Sequence, residues 1–446
     1  MKNRFVFFML FWAVPIYANS QIVTALLPGL SPIPAAIFYS SDSILYAGGV
    51  FNYLGNGTAI NRIAQWKNNQ WDSLGSGVND GGVITEIIEY NNTIYVAGTF
   101  NKIGGITSKG LATWDGNNWH FFGDFTDQGY GWVSGLEINN GILYIGGGFN
   151  VFNGMPSSCL VSYDGANFGT FPSLGSNSAV SAICFYNGEM YVGGNFNAGG
   201  GKSDIAKFDG TNWVSVGGGL SGGNTVVNDM IVYNGELYVS GHFLTLYGDP
   251  GNLIAKWDGT NWSSVGGGLD GGNCLTMEIF DNTLYVGGTL ISAGSIPVNN
   301  IAKWDGNAWH NIGVGFDNGV TCLESKDSNN LYIGGAFITA NGDTVNRICE
   351  YNLLTGIGEI SNSPEFQISP NPATDKITLS CIIPSNLTEV NLLITDLTGR
   401  VISSNQIQGN PRELEIDISY LNNGSYLMNL EHNGNILASR KLMVVK

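Results

Sequence analysis

Apolar and polar positions alternate in short runs along most of this chain, and the runs repeat. In Leu284-Tyr285-Val286 successive side chains point to opposite sides of a strand, so both faces are apolar. Gly287-Gly288 follows, then the loop Ser292–Asn299, and later a Trp-Asp-Gly corner at residues 304–306. This unit predicts four strands, Leu275–Phe280, Thr283–Gly287, Asn300–Trp304 and Ala308–Gly313. Asp-Gly is a hairpin signal, because type I′ turns need positive φ. The grammar returns at Tyr46, Tyr95, Tyr144, Tyr191, Tyr238, Tyr285 and Tyr332, spaced 49, 49, 47, 47, 47 and 47 residues apart. A fixed period of this size marks stacked supersecondary units. A strand apolar on both faces must be covered on both, and a ring of stacked sheets supplies that cover. We expect a closed ring, with a linear β-solenoid as the alternative.

The unit resembles the kelch repeat. Its matching residues include Leu143-Tyr144-Ile145-Gly146-Gly147 with Tyr163-Asp164-Gly165 and Phe168. Others are Gly193-Gly194 with Phe208-Asp209-Gly210 and Trp213, and Leu237-Tyr238-Val239 with Trp257-Asp258-Gly259 and Trp262. The resemblance spans residues 33–355 and implies an all-β fold, a seven-bladed β-propeller of four-stranded blades. Ala97-Gly98 and Ser240-Gly241 depart from the double glycine. The last unit is incomplete: after Arg347–Asn352 the hairpin corner and its Trp are missing. Ile22–Leu27 is expected to complete that blade and close the ring, with Thr355–Ile360 as the alternative.

Composition shifts after Gly358, and Ser361-Asn362-Ser363-Pro364 reads as a linker. Seven alternating apolar segments follow, near Phe366–Ser369, Asp375–Ile383, Glu389–Thr395, Arg400–Gln408, Arg412–Ser419, Ser425–His432 and Ile436–Val445. They suggest a C-terminal seven-stranded immunoglobulin-like β-sandwich. The tail resembles the C-terminal sorting domain of the type IX secretion system of Bacteroidetes. The resemblance rests on Pro370-Asn371-Pro372, Asp396 with Gly399-Arg400, Gly424 with Tyr426, and the segment from Lys441 to Lys446. It implies export across the outer membrane by that machinery as partner. In the family the tail is often removed, and the passenger is released or attached to surface lipopolysaccharide. The expected domains are a signal peptide at 1–20, the propeller at 21–358, a linker at 359–364 and the sorting domain at 365–446.

The signal peptide is read from Lys2 and Arg4, the apolar run Phe5–Tyr17, and the small residues Ala18 and Ser20 before Gln21. Nothing later is long enough to span a bilayer, so a secreted or cell-surface location is expected. The formal charge of −17 becomes about −19 without Lys2 and Arg4. That balance argues against nucleic acid, which calls for a basic stripe. The six cysteines take different places in different repeats and form no CxxC pair, so most read as small buried apolar residues.

Candidate chemistry is sparse. His120 and His310 follow the second Trp of two well-separated units, and no His cluster suits copper or zinc. No cofactor is expected. The propeller has only Arg62 and Arg347, at equivalent positions, and they are expected to flank the seam. Asp80, Asp270 and Asp317 recur in blade-to-blade loops, which fits turn formation better than a Ca²⁺ site. The segment after Asp124 interrupts the repeat and holds Phe125, Tyr130 and Trp132; Tyr247 and Asp249 lie in a second unusual loop. Aromatic loops on a rigid scaffold suit a glycan or protein ligand, or else cap the core. The functional expectation is a secreted binding module. An extracellular hydrolase or lyase using loop carboxylates is the alternative, and a purely structural surface protein is a third.

Overall fold

The computed structural model describes residues 22–126, 131–175, 178–220, 225–243, 251–353, 365–382, 390–396, 400–407, 413–432 and 435–446. The signal-peptide and linker readings lie outside them. The chain divides into two units, Met1–Leu354 and Thr355–Lys446.

In the first unit, seven antiparallel sheets each contain a run of four strands, here called a to d from the inside outward. Strands a are Pro34–Tyr39, Ile84–Tyr90, Trp132–Asn139, Ala179–Tyr186, Val226–Tyr233, Leu269–Phe280 and Val320–Ser325. Each touches the next, and the seventh touches the first. Strand d of the seventh sheet is Ile22–Ala25, paired with Ile348–Asn352 in the register Ile22 to Asn352. Chain start and last repeat therefore share one sheet. At this seam Arg347 donates from Nη1 to the Leu30 carbonyl at 3.3 Å.

Each interface between sheets is a separate hydrophobic cluster. The first and second sheets, for example, share Tyr46, Ile63, Ile84, Ile87 and Val96. The second Trp of a unit ties its sheet to the one before. The indole N–H of Trp119 donates to Leu74 O at 3.0 Å, that of Trp262 to Val216 O at 3.0 Å and that of Trp309 to Val265 O at 2.9 Å. Trp71 makes the same bond to Leu26 O, across the seam.

The Asp of each Trp-Asp-Gly corner caps its own turn. Asp305 Oδ1 accepts the N–H groups of Asn307 and Ala308 at 2.8 and 2.7 Å. This corner is a four-residue loop in which Gly306 takes positive φ. The paired positive φ values of a two-residue turn fall instead on Asp281 and Asn282, 48° and 53°. The sixth hairpin is also longer than its apolar run suggests, because Leu269 and Asp270 pair with Ala293 and Ser292.

The two glycines after strand b have different duties. Every strand a carries a bulge near its start, for instance between Val227 and Asp229. The second glycine faces that bulge. A Cβ on Gly147, Gly194, Gly241 or Gly288 would sit 2.0 Å from a strand a carbonyl oxygen, and one on Gly98 2.0 Å from the Val83 carbonyl just before strand a. At the first position a Cβ meets a neighbouring side chain instead, as Gly287 meets Val320. That is why Ala97 and Ser240 are accommodated there. Gly288→Ala is expected to destabilise the fold by about 3 kcal/mol, since a backbone carbonyl cannot step aside. Gly287→Ala should cost less, and thermal unfolding of the two variants checks the order.

Among the described residues of the second unit, seven strands form two sheets. One holds Glu365–Ser369, Lys376–Ile382 and Glu413–Asp417; the other holds Val390–Thr395, Val401–Ile407, Gly424–His432 and Asn435–Val444. Ile377, Leu379 and Ile416 of the first meet Leu392, Ile394, Met428 and Leu442 of the second in one core.

Candidate functional site

Of the residues selected from the unusual loops, Phe125 and Trp132 are described, and their surroundings differ. Phe125 is fully buried, 4.9 Å from the Phe149 ring and 4.7 Å from the Phe152 ring. It is a core residue because strand d of the second sheet runs on to Thr126 and pairs with Val151–Phe152. Its place among the ligand-binding residues is corrected accordingly. Trp132 opens strand a of the third sheet and is 40% exposed. Its ring lies against Gly148, where a Cβ would come within 2.2 Å of Cζ2. Tyr130, Tyr247 and Asp249 lie outside the described residues.

Other candidates are structural. His120 and His310 sit on the surface with Nε2 2.7 Å from the carboxylates of Asp115 and Asp305. Asp80 accepts the N–H groups of Gly82, Asn101 and Lys102, and Asp317 those of Ile338 and Thr339. These loop carboxylates hold turns. Cys159, Cys184, Cys274, Cys322 and Cys349 are buried free thiols.

A cluster of ionisable groups lies on the axis of the ring. A cavity of about 460 Å³ is lined by strand a of all seven sheets. Two rows of side chains face it. The bulge residues stitch neighbouring sheets: Thr85 Oγ1 donates to Val133 O, Ser134 Oγ to Val180 O, Asn228 Nδ2 to Cys274 O and Thr321 Oγ1 to Pro34 O, at 2.6–3.1 Å. Deeper along the strands stand five carboxylates, Glu86, Glu137, Asp229, Glu278 and Glu324, and no Lys, Arg or His is among the lining residues.

Burial is the first cause of their raised pKa values, since a low-dielectric site disfavours the charged form. It alone pushes Glu137 up to about 7. Asp229 rises to about 7 although the N–H groups of Met277 and Met230 oppose the shift at 2.6 and 2.7 Å. Glu278 rises to about 7 against a hydrogen bond from Ser325. Glu324 reaches about 8, with the Tyr39 N–H opposing and the Glu278 charge adding. Glu86 is held well above the carboxylate range by burial, then by Asp229, Glu324 and Glu137. The cavity can therefore store protons near neutrality. Among the described residues, no three His, Cys, Asp or Glu side chains are placed to hold a metal ion. The sequence signal for this site was an acid within each of five strands a, which alternation alone did not single out.

In the second unit, Asn371 clamps the last strand. Its Nδ2 donates to Lys441 O and its Oδ1 accepts the Met443 N–H, both at 2.8 Å. Pro370 and Pro372 flank this clamp. Asp396 accepts from the Arg400 backbone N–H and Nε, both at 3.1 Å; Gly399 lies outside the described residues. Tyr426 donates to the Asn422 carbonyl at 2.9 Å, with its ring beside Gly424. No described helix is long and apolar enough to cross a membrane.

Comparison with solved structures finds the extracellular domain of a putative hybrid two component system, BT4673, from B. thetaiotaomicron. It is 11% identical, with 96% of this chain and 59% of that chain covered, at a TM-score of 0.49. PorZ, described as an essential bacterial surface component of the type-IX secretion system of Porphyromonas gingivalis, is 15% identical over 92% of this chain and 59% of that one, at a TM-score of 0.46. The chain thus spans about three fifths of the length of these two structures. YjhT is 14% identical over 64% of this chain and 99% of its own, at a TM-score of 0.37. No curated protein matches significantly. Residues 367–445 match the family described as the secretion system C-terminal sorting domain, so the chain carries a type IX sorting tail, which implies secretion to the cell surface or beyond.

Proposed function

We propose that the chain is a surface or secreted binding module, a kelch-like seven-bladed β-propeller at 21–358 delivered by an immunoglobulin-like sorting domain at 365–446. Its ligand is a glycan or protein taken at the face where strands a begin. Trp132 carries the reading. It is a half-exposed aromatic at the rim of the ring, its ring held against backbone at Gly148. A rigid aromatic placed this way supplies contact area at little entropic cost.

A glycan and polysaccharide array with residues 21–358 tests this proposal. Saturable binding is expected, and Trp132→Ala should weaken it about thirtyfold, or about 2 kcal/mol. Silence across the array and across a panel of surface proteins would overturn it. A second reading is a hydrolase or lyase, and the carboxylates of the axial cavity favour it, because their pKa values suit acid and base roles near neutrality. Consumption of a polymer in the array, rather than retention, would point to that reading.

A further inference from the structure

The junction between the third and fourth sheets departs from its neighbours at three positions. In the first, second, fourth, fifth and sixth sheets strand a ends in an aromatic residue, Tyr39, Tyr90, Tyr186, Tyr233 or Phe280, and in the seventh it ends in Ser325. Tyr90 and Tyr233 reach over the next sheet, donating to Gly141 O at 2.8 Å and Asn282 O at 3.0 Å. The third strand a ends in Asn139. On the facing side, strand c of the fourth sheet ends in Phe208, where other sheets have Trp or Tyr. At two later junctions that position holds a Trp, 257 or 304, with a buried indole N–H. Phe208 has no such group. Its strand b partner is Met190, where the other six sheets have Leu or Ile.

These changes open a groove of about 340 Å³. Tyr144, Phe171, Phe185 and Phe208 wall it, with Tyr144 and Phe185 rings 4.9 Å apart and Phe171 and Phe208 rings 5.3 Å apart. Of the seven anchor tyrosines, Tyr144 alone is not buried. Its hydroxyl makes no hydrogen bond among the described residues. Glu189 and Asp209 stand at the rim. Lys207 pairs with Glu189 at 2.9 Å, so two carboxylates and one ammonium leave the rim one negative charge. The groove lies at the turn between strands a and b, the opposite end of the sheets from Trp132.

We propose that this groove takes a single lysine or arginine side chain presented by a partner protein. Aromatic faces attract a cation. The methylene stem of such a side chain packs on rings and on the adaptable Met190, while its head meets the carboxylate rim. The chain's net charge of −17 favours a basic partner.

The test uses residues 21–446 with ¹³C-methyl methionine and follows the Met190 resonance. Probes are the capped peptides Gly-Lys-Gly and Gly-Arg-Gly, the neutral Gly-norleucine-Gly, and glucosamine. A saturable shift with the cationic peptides, at least tenfold weaker with norleucine, is expected. The double variant Asn139→Tyr, Phe208→Trp restores the residues of neighbouring junctions, so it should fold and lose the response at least tenfold. An equal response to norleucine, a stronger response to glucosamine, an unchanged response in the double variant, or no response to any probe would each overturn the proposal. Trp132→Ala should leave the response unchanged, which separates this site from the one at the other face.

Discussion

Deleting residues 365–446 is expected to stop the chain at the periplasm, with the secreted or surface fraction falling to background. The reason is the address, and the two folding units make it separable from stability. The core of the tail is built from tail residues alone, from Ala373 to Val444. The clusters of the repeat region draw only on residues 23–353. Removing the tail therefore exposes none of the surface buried in those clusters. The truncated chain should resist protease in periplasmic extracts as the full chain does. A milder lesion acts through the clamp. Asn371→Ala removes two hydrogen bonds that hold the start of the tail to its last strand. At about 1 kcal/mol each it should loosen the tail by about 2 kcal/mol and lower the exported fraction without abolishing it. Cell fractionation with surface immunodetection is the measurement, and normal export of the truncated chain would refute the assignment.

The second large effect is a stability that falls as pH rises. An acid whose folded pKa exceeds its unfolded value holds its proton more tightly in the folded state. Asp229, Glu137 and Glu278 at about 7 and Glu324 at about 8 are such groups. Between about pH 4 and pH 8 the folded chain thus binds more protons than the unfolded chain. Their contribution is fully present below that window and is lost as pH climbs through it. One such group is worth about 4 kcal/mol across the window, at about 1.4 kcal/mol per pKa unit. Surface acids work the other way. Asp115 and Asp305, held down at about 2 chiefly by His120 and by the backbone N–H of Ala308 respectively, favour the folded state until pH falls toward that value. The optimum should lie near pH 4 to 5, below the usual range. Thermal unfolding at constant ionic strength should show a higher midpoint at pH 5 than at pH 8. Glu324→Gln keeps an acceptor for the Tyr39 N–H and should raise the midpoint at pH 8 while leaving pH 5 nearly unchanged. A midpoint that is higher at pH 8 would contradict the arrangement.

Much of the architecture was legible because its causes are local. Apolar runs on both faces announced strands that must be covered twice, and Asp-Gly corners announced hairpins. The missing corner after Asn352 announced that another segment must complete the last sheet, and Ile22–Ala25 does so. Each of the seven apolar segments of the tail overlaps a strand among the described residues. Phe125 was misread because a break in the repeat looks like a loop, whereas pairing with a distant hairpin carried the strand on to Thr126.

The axial carboxylates and the side groove were not legible, for a physical reason. Glu86, Glu137, Asp229, Glu278 and Glu324 lie far apart in sequence, each in a different strand beside other polar residues. Their burial and their mutual repulsion arise only when the seven strands a close around a common axis. Likewise Asn139 and Phe208 are unremarkable substitutions until two sheets meet and leave Tyr144 uncovered. Strand alternation, turns and the segments that must pair act over a few residues, and the sequence alone determined them. The electrostatic character of the cavity and the opening of the groove depend on which sheets stand next to one another, and only the tertiary structure decided those.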